Sequence, residues 1–354
     1  MNKRHFSSFL LDWYQENKRE LPWRKTKDPY KIWLSEVLLQ QTRVKQGLPY
    51  YLNFVKKFPT VKKLAQSSEK IVLRLWQGLG YYSRARNLHR CAKIISEDFN
   101  GRFPQTVDEL KELPGIGDYT AAAIASLAFH QPTAVVDGNV FRVLARLFGV
   151  EHNISSPAGK KYFFELANSL IPYDQPGEFN QAMMEFGAVH CTPRNPKCGE
   201  CVFFRQCIAS QTESQRLFPV KTKSKQRKQR YFNYFVIRSG KKTWMQPRQE
   251  KDIWQSLYEF YLIESNSPAG DARAIQLFRK KTGLHDACLL GNSLQIRQVL
   301  SHQEIFGKFY EMKTTGKKLS GRGLINGKFC SEEEIEKLAK PGLITQYLKS
   351  VVEG

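Results

Sequence analysis

Four of the chain's seven cysteines, Cys191, Cys198, Cys201 and Cys207, fall within seventeen residues at C-x6-C-x2-C-x5-C spacing. Four thiolates from one short loop can hold a cubane iron–sulfur cluster or a zinc ion. Structural zinc sites more often pair two C-x2-C halves across a longer span. Here there is one C-x2-C in a compact set, so the spacing favours the iron–sulfur cluster over zinc. Two disulfides would need an oxidising compartment. The first inter-cysteine loop, "TPRNPK", carries Arg194 and Lys197, which suits a phosphate-contacting loop better than an electron carrier. The remaining cysteines, Cys91, Cys288 and Cys330, are scattered, as small buried apolar residues usually are.

The charge agrees with a polyanionic partner. Lys and Arg total 55 against 33 acids, a net +22 with pI near 9.7. Nucleic acid is the leading expectation and an anionic membrane surface the second. No apolar stretch approaches the ~20 residues needed to span a bilayer, and "MNKRHFSSFLLDWYQENKRE" has no signal-peptide core. A reducing cytoplasm is therefore expected, and the short N-terminus hints at a bacterial source.

At 354 residues the chain has room for about two domains. Residues 1–211 read as mostly helical, with apolar residues at helical spacing in "FSSFLLDWYQ", "IVLRLWQGL", "AAAIASLAF" and "KYFFELANSLI". Residues 212–230 read as a solvated basic linker, with six basic side chains and no acid between Lys221 and Arg230. Residues 231–354 read as a separate α+β domain. In it, "YFNYFVIRSGKKTWMQ" predicts two strands about a turn at Ser239 and Gly240, and "ARAIQLFRKKTG" a helix ending at Gly283. "IRQVLSHQEIFGKFYEMKT" predicts further strands, and "SEEEIEKLA" an N-capped helix.

Three stretches carry chemistry. "LPGIG", Leu113 to Gly117, allows a tight turn into a helix whose free N–H groups at Gly115 and Gly117 can hold a phosphate; an ordinary helix–turn–helix joint would read the same. Twenty residues beyond Gly117, Asp137 in "VVDGNVF" reads either as an N-cap or as a group near a sugar held by that hairpin. Glu36, in "KIWLSEVLLQQTRV", would have Ile32, Trp33, Leu39 and Gln40 as helical neighbours. Either it pairs with Arg43 on a solvated face, or an apolar wall raises its pKa.

The hairpin, the "VDGNV" aspartate and the cysteine loop together resemble the helix-hairpin-helix DNA glycosylase superfamily, whose endonuclease III branch carries the same cysteine spacing. "LPWR", "SEVLLQQTRV", "GLGYYSRARNL", "IWQSLYEF" and "LSH" narrow the resemblance to the MutY-type adenine DNA glycosylases. It implies a mostly α catalytic region with a [4Fe-4S] loop, followed by an α+β Nudix-like domain. It also implies removal of adenine mispaired with 8-oxoguanine or guanine in double-stranded DNA, by a monomer.

By the same resemblance Glu36 is the general acid and Asp137 the carboxylate at the sugar, steadied by Tyr119 and Asn139. Trp23 and Arg24 surround the adenine, with Leu39, Thr42 and Leu79 beside the substrate. Gln41 and Tyr81 wedge into the base stack, Ser301 and His302 read the opposite base, and Gly115 and Gly117 hold the DNA backbone. Bifunctional relatives carry a lysine where this chain has Tyr119, so no built-in strand cutting is expected. The family's Phe-Ser-His loop is Leu300-Ser301-His302 here. A Nudix pyrophosphatase needs a Glu-rich metal-binding helix; "ARAIQLFRKKTG" has no carboxylate, so none is expected. A pyrimidine- or thymine-mismatch glycosylase of the same fold and a non-catalytic DNA-binding scaffold are the rival readings.

Overall fold

The computed structural model describes residues 3–222, 226–291, 293–314, 324 and 326–352. The chain divides into two compact units, Met1–Gln66 with Asn87–Lys223 and Ser67–Arg86 with Ser224–Gly354.

The first unit is helical throughout. Its opening helix, Lys3–Asn17, buries Phe6, Leu10, Trp13 and Tyr14 on one stripe. These pack with Val143, Leu144 and Leu147 of the Gly138–Phe148 helix and with Phe179, Met183 and Phe186. Local chemistry sets the ends. Asp28 caps the Pro29–Leu39 helix by accepting from the Tyr30 N–H, with proline in the first turn. Thr106 and Glu109 form a capping box on Val107–Lys111. Gly149 closes Gly138–Phe148 at φ +63°.

The second unit is built on strands β1 (Lys228–Ser239), β2 (Lys242–Pro247), β3 (Tyr258–Glu259), β4 (Tyr261–Ser265), β5 (Cys288–Leu289), β6 (Leu294–Val299), β7 (Gln303–Lys313) and β8 (Lys328–Cys330). β1 and β7 run parallel at its centre, from Lys228 opposite Gln303 to Arg238 opposite Lys313. β1 is buried on both faces from Phe232 to Ile237, hence its mostly apolar run, broken only at Asn233, whose amide donates to the Ile263 carbonyl. The predicted β1–β2 turn stands, with Gly240 at φ +58°, as do the Asp271–Thr282 helix closed by Gly283 and the Ser331 capping box.

Three expectations need revision. Residues 67–86 read as part of the N-terminal region, yet they cluster with the C-terminal strands. The Tyr82 hydroxyl donates to the Lys340 carbonyl, Gln77 bonds both Lys340 and Thr345, and Arg86 donates to the Gln255 carbonyl. The basic linker is shorter than expected. Ile154 N–H donates to the Val220 carbonyl at one end. At the other, Lys228–Arg230 already lie in β1, with Arg230 buried against Asp252 and Glu264; residues 223–225 lie outside the described residues. Finally, the helix read as free of carboxylates begins one residue earlier, at Asp271, which pairs with Lys308 and Tyr310.

Candidate active site

Glu36 sits in the last turn of the Pro29–Leu39 helix, 8% exposed, on the turn that also buries Ile32 and Trp33. Its Oε2 accepts a hydrogen bond from the Tyr119 hydroxyl at 2.7 Å. Burial pushes the Glu36 carboxyl up to about 7; the Tyr119 bond and Arg24 pull it down, and the charge of Asp137 pushes it further up. Arg43 caps the next helix and is exposed. It forms no ion pair with Glu36 among the described residues, so the solvated-pair reading does not hold. Tyr119 enters from the Asp118–Phe129 helix, its own ionisation driven far up by burial beside two carboxylates.

Asp137 is an N-cap, and it also faces the pocket. Its Oδ1 accepts from the backbone N–H of Asn139 (2.9 Å) and Val140 (2.8 Å), and its Oδ2 from the Asn139 amide (2.8 Å). Burial raises its carboxyl, and these three donors offset part of the rise. Among the described residues every hydrogen-bond partner of Asp137 is a donor, which favours the carboxylate, whereas burial of Glu36 favours its protonated form. The Asn139 Oδ1 in turn accepts from Arg142, whose Nε donates to the Cys191 carbonyl at 2.8 Å. One chain of hydrogen bonds thus runs from Asp137 to the first cysteine of the loop. Arg142 also donates to the Gly187 carbonyl. A Cβ at Gly187 would stand 2.6 Å from the Asn139 Cβ, so only glycine permits this approach.

Cys191, Cys198, Cys201 and Cys207 line a single cavity with Arg146, His190, Phe203 and Gln215. All four are free thiols. Among the described residues no three His, Cys, Asp or Glu side chains stand as a set that could hold one metal ion. Donors face the sulfurs: Arg146 to Cys191 at 3.5 Å, the Phe203 N–H to Cys201 at 3.4 Å, and Gln215 to Cys198 at 3.8 Å. Burial, then the charge of the neighbouring thiolates, pushes Cys201 up to about 12. The set fits a cationic iron–sulfur core, which would offset part of the thiolates' charge when bound.

The pocket behind Glu36 and Asp137 measures about 800 Å³, its mouth included, and is lined by Trp23, Arg24, Leu39, Thr42, Tyr119 and Asn139, all expected there, and by Glu185. Glu185 was missed. Its fully buried carboxylate is bonded by Arg19 (2.7 and 2.6 Å) and Arg24 (2.8 Å). Burial alone would raise Glu185, but the arginines outweigh it and hold it at about 2. Glu185 therefore fixes Arg24 at the pocket wall. A carboxylate inside the apolar run "AMMEFGAV" was the available signal, the same anomaly as Glu36.

A second, wider opening shares Glu36, Tyr119 and Asp137 and continues past Gln41, Gly117, Lys111, Lys160 and Lys161. Gly115 turns the hairpin at φ +82°; a Cβ there would meet Asn87 at 2.8 Å. At Gly117 a Cβ would meet nothing within 4 Å, so the protein itself leaves that side of the helix start open. Gln41 stands at φ +57°, a strained conformation for a non-glycine residue.

The remaining expected residues belong to the second unit. Leu79, Tyr81, Leu300, Ser301 and His302 line one pocket there, with Asp252 and Trp254. Tyr81 is exposed at φ +49°, and its loop is braced by Trp76 Nε1 donating to the Gly80 carbonyl and by Arg84 over the Tyr81 ring. Leu300–His302 form the turn between β6 and β7, closed by the Leu300 N–H on the Gln303 carbonyl.

Residues 34–169 match the model of the HhH-GPD superfamily base excision DNA repair proteins, residues 191–207 the iron–sulfur binding domain of endonuclease III, and residues 233–350 the NUDIX domain. An adenine DNA glycosylase of Buchnera aphidicola is 40% identical over 256 residues, 72% of this chain and 74% of its own. The adenine DNA glycosylase of Homo sapiens is 44% identical over 219 residues, 59% of this chain and 40% of its own. Among solved structures, a thermostable thymine-DNA glycosylase aligns with 59% of this chain and 97% of its own at TM-score 0.55 and 32% identity. A trapped endonuclease III–DNA intermediate aligns with 60% and 99% at TM-score 0.52 and 22% identity, a likeness of fold. Residues 191–207 are an iron–sulfur cluster loop, and the C-terminal unit is Nudix-like.

Proposed function

The chain belongs to the adenine DNA glycosylases, base-excision-repair hydrolases of N-glycosyl bonds, and from that premise we propose that it removes adenine paired with 8-oxoguanine or guanine in duplex DNA, without cutting the strand. The observation that carries this reading is a buried carboxyl with a pKa near 7, Glu36, sharing a pocket with a carboxylate held by three donors, Asp137.

A base within a duplex is out of reach, so the adenine is flipped into the pocket at a cost of a few kcal/mol. Adenine leaves poorly as an anion. Glu36 protonates the ring, and the glycosidic bond then breaks toward an oxocarbenium-like sugar. The Tyr119 hydroxyl occupies Oε2, which leaves the acidic proton on Oε1. Asp137 stabilises the sugar cation or bonds to it briefly, and water completes the reaction to an abasic site. Asn139 holds Asp137 in place; Arg24, fixed by Glu185, and Trp23 bound the base. Tyr119 has no amine to attack the sugar, so the strand stays intact.

The open helix start at Gly117, with Lys111, Lys160 and Lys161 along the groove, takes the backbone phosphates of the substrate strand. Gln41 and Tyr81 act as wedges, their left-handed backbones favouring that role over idle surface. Ser301 and His302 read the base opposite adenine. The acting species is a monomer, working on the chromosome in a bacterial cytoplasm.

The test is a duplex cleavage assay with adenine opposite 8-oxoguanine. Wild type should give strand scission only after alkali, and Glu36→Gln and Asp137→Asn should bind the duplex but release no adenine. Scission without alkali would overturn the monofunctional reading, and substantial excision by either variant would remove that residue from the mechanism.

A further inference from the structure

His190 is the residue before the first cysteine of the cluster loop, and none of the chemistry above uses it. It is 6% exposed and ends the π-helical turn Phe186–His190. That turn is closed by the Cys191 N–H on the Phe186 carbonyl at 2.8 Å. Such single π turns are rare and frequent at functional sites. The imidazole stacks on Phe186 with centroids 4.8 Å apart and meets the Trp13 ring edge-on at 5.6 Å. Its backbone carbonyl accepts from the Thr192 and Lys197 N–H groups, which pins the start of the loop. The ring is therefore held on two sides, yet its buried Nε2 has no hydrogen-bond partner among the described residues. A buried polar atom left without one is destabilising. His190 also lines the cavity ringed by Cys191, Cys198, Cys201 and Cys207, where the acceptors a cluster brings are sulfurs.

We propose that His190, with its proton on Nε2, donates a hydrogen bond to a sulfur of the iron–sulfur cluster and thereby tunes the cluster's reduction potential and its retention. Donors aimed at cluster sulfurs stabilise the more negative, reduced core, so they raise the potential. Arg146, the Phe203 N–H and Gln215 already face Cys191, Cys201 and Cys198. His190 adds a side-chain donor from the aromatic side of the cavity.

The experiment uses the full-length holoprotein and two variants. His190→Phe keeps a ring against Phe186 and Trp13 and removes the donor; His190→Gln restores a donor without the ring. The readouts are the midpoint potential on DNA-modified electrodes, the shift of the Fe–S stretching bands between H2O and D2O by resonance Raman, and iron per chain. His190→Phe should have a more negative potential and a smaller isotope shift than wild type, and His190→Gln should lie between the two. Should the Phe variant lose iron, the Gln variant retaining it supports the proposal. Wild-type potential and isotope shift in the Phe variant would overturn it, as would equal iron loss in both variants, since the ring's shape and not its donor would then be what matters.

Discussion

Glu36 carries a thermodynamic penalty that its proposed role requires. Its carboxyl is raised from an ordinary 4.5 to about 7 by burial. As pH rises past 4.5 the unfolded chain loses this proton first, and the folded protein keeps it until about 7. The stability the protonated group lends is thus complete below 4.5 and gone above about 7, where the ion sits buried at a cost of about 3 kcal/mol. Glu36→Gln cannot titrate. It should gain on wild type in denaturant midpoint between pH 5 and pH 8, by roughly 1–3 kcal/mol, while losing excision. Parallel midpoints across that range would mean that Glu36 is not buried as an acid. Tyr119 acts on the same group with the opposite sign, because its hydrogen bond lowers the Glu36 pKa. Tyr119→Phe should slow excision several-fold and move the alkaline fall in rate to higher pH; an unmoved limb would show the bond to be incidental. Glu36 was legible because its apolar neighbours sit at helical spacing in a recognisable motif. Glu185, equally anomalous, was not, because its arginines lie 161 and 166 residues away in sequence.

Between elements, the decisive contact is the π turn Phe186–His190 against the start of the Gly138–Phe148 helix. Gly187 lets Asn139 close on that turn, and Arg142 ties Asn139 to Cys191. Gly187→Ala would place a methyl against the Asn139 Cβ, carbonyl carbon and oxygen. The helix start that carries Asp137 must then shift, and misplacement of about 1 Å can cost ~100-fold in rate. The expected outcome is single-turnover excision reduced by one to two orders of magnitude with iron content and helicity near wild type; unchanged excision would uncouple the cluster loop from Asp137. The helices themselves were readable from periodicity and caps. The π turn was not, since tertiary hydrogen bonds from Arg142 to Gly187 and Cys191, and no local propensity, accompany it. The β1–β2 hairpin was readable from Ser239 and Gly240, but the parallel pairing of β1 with β7 was not, because their registers lie 75 residues apart in sequence.

For the whole molecule, the sequence places the boundary between units near residue 211, and Tyr81 with the first unit. Its segment instead clusters with the second, through Tyr82, Gln77 and Arg86. Helical periodicity in "IVLRLWQGL" says that a face is buried and cannot say against what. A fragment ending near Pro219 would strip Ser67–Arg86 of these partners, so truncation is a poor probe of what the Nudix-like unit reads. Ser301→Ala is cleaner, because Ser301 is exposed in the β6–β7 turn and its hydroxyl bonds only His302 among the described residues. Loss of one hydrogen-bonding partner costs about 1 kcal/mol, several-fold in rate ratio. The preference for adenine opposite 8-oxoguanine over adenine opposite guanine should shrink by that factor, with excision opposite guanine unchanged. An equal loss on both substrates would make this turn a general clamp on DNA.

In the proposed mechanism adenine departs by protonation from a buried Glu36. The pH dependence of kcat/KM for adenine excision tests it most directly, because it reports the free enzyme's essential acid. With Glu36 near 7, the rate should hold level just below that pH and fall about tenfold for each further unit above it. A profile that stays flat from pH 7 to about pH 9 would rule Glu36 out as the acid, since an ionised Glu36 has no proton to give.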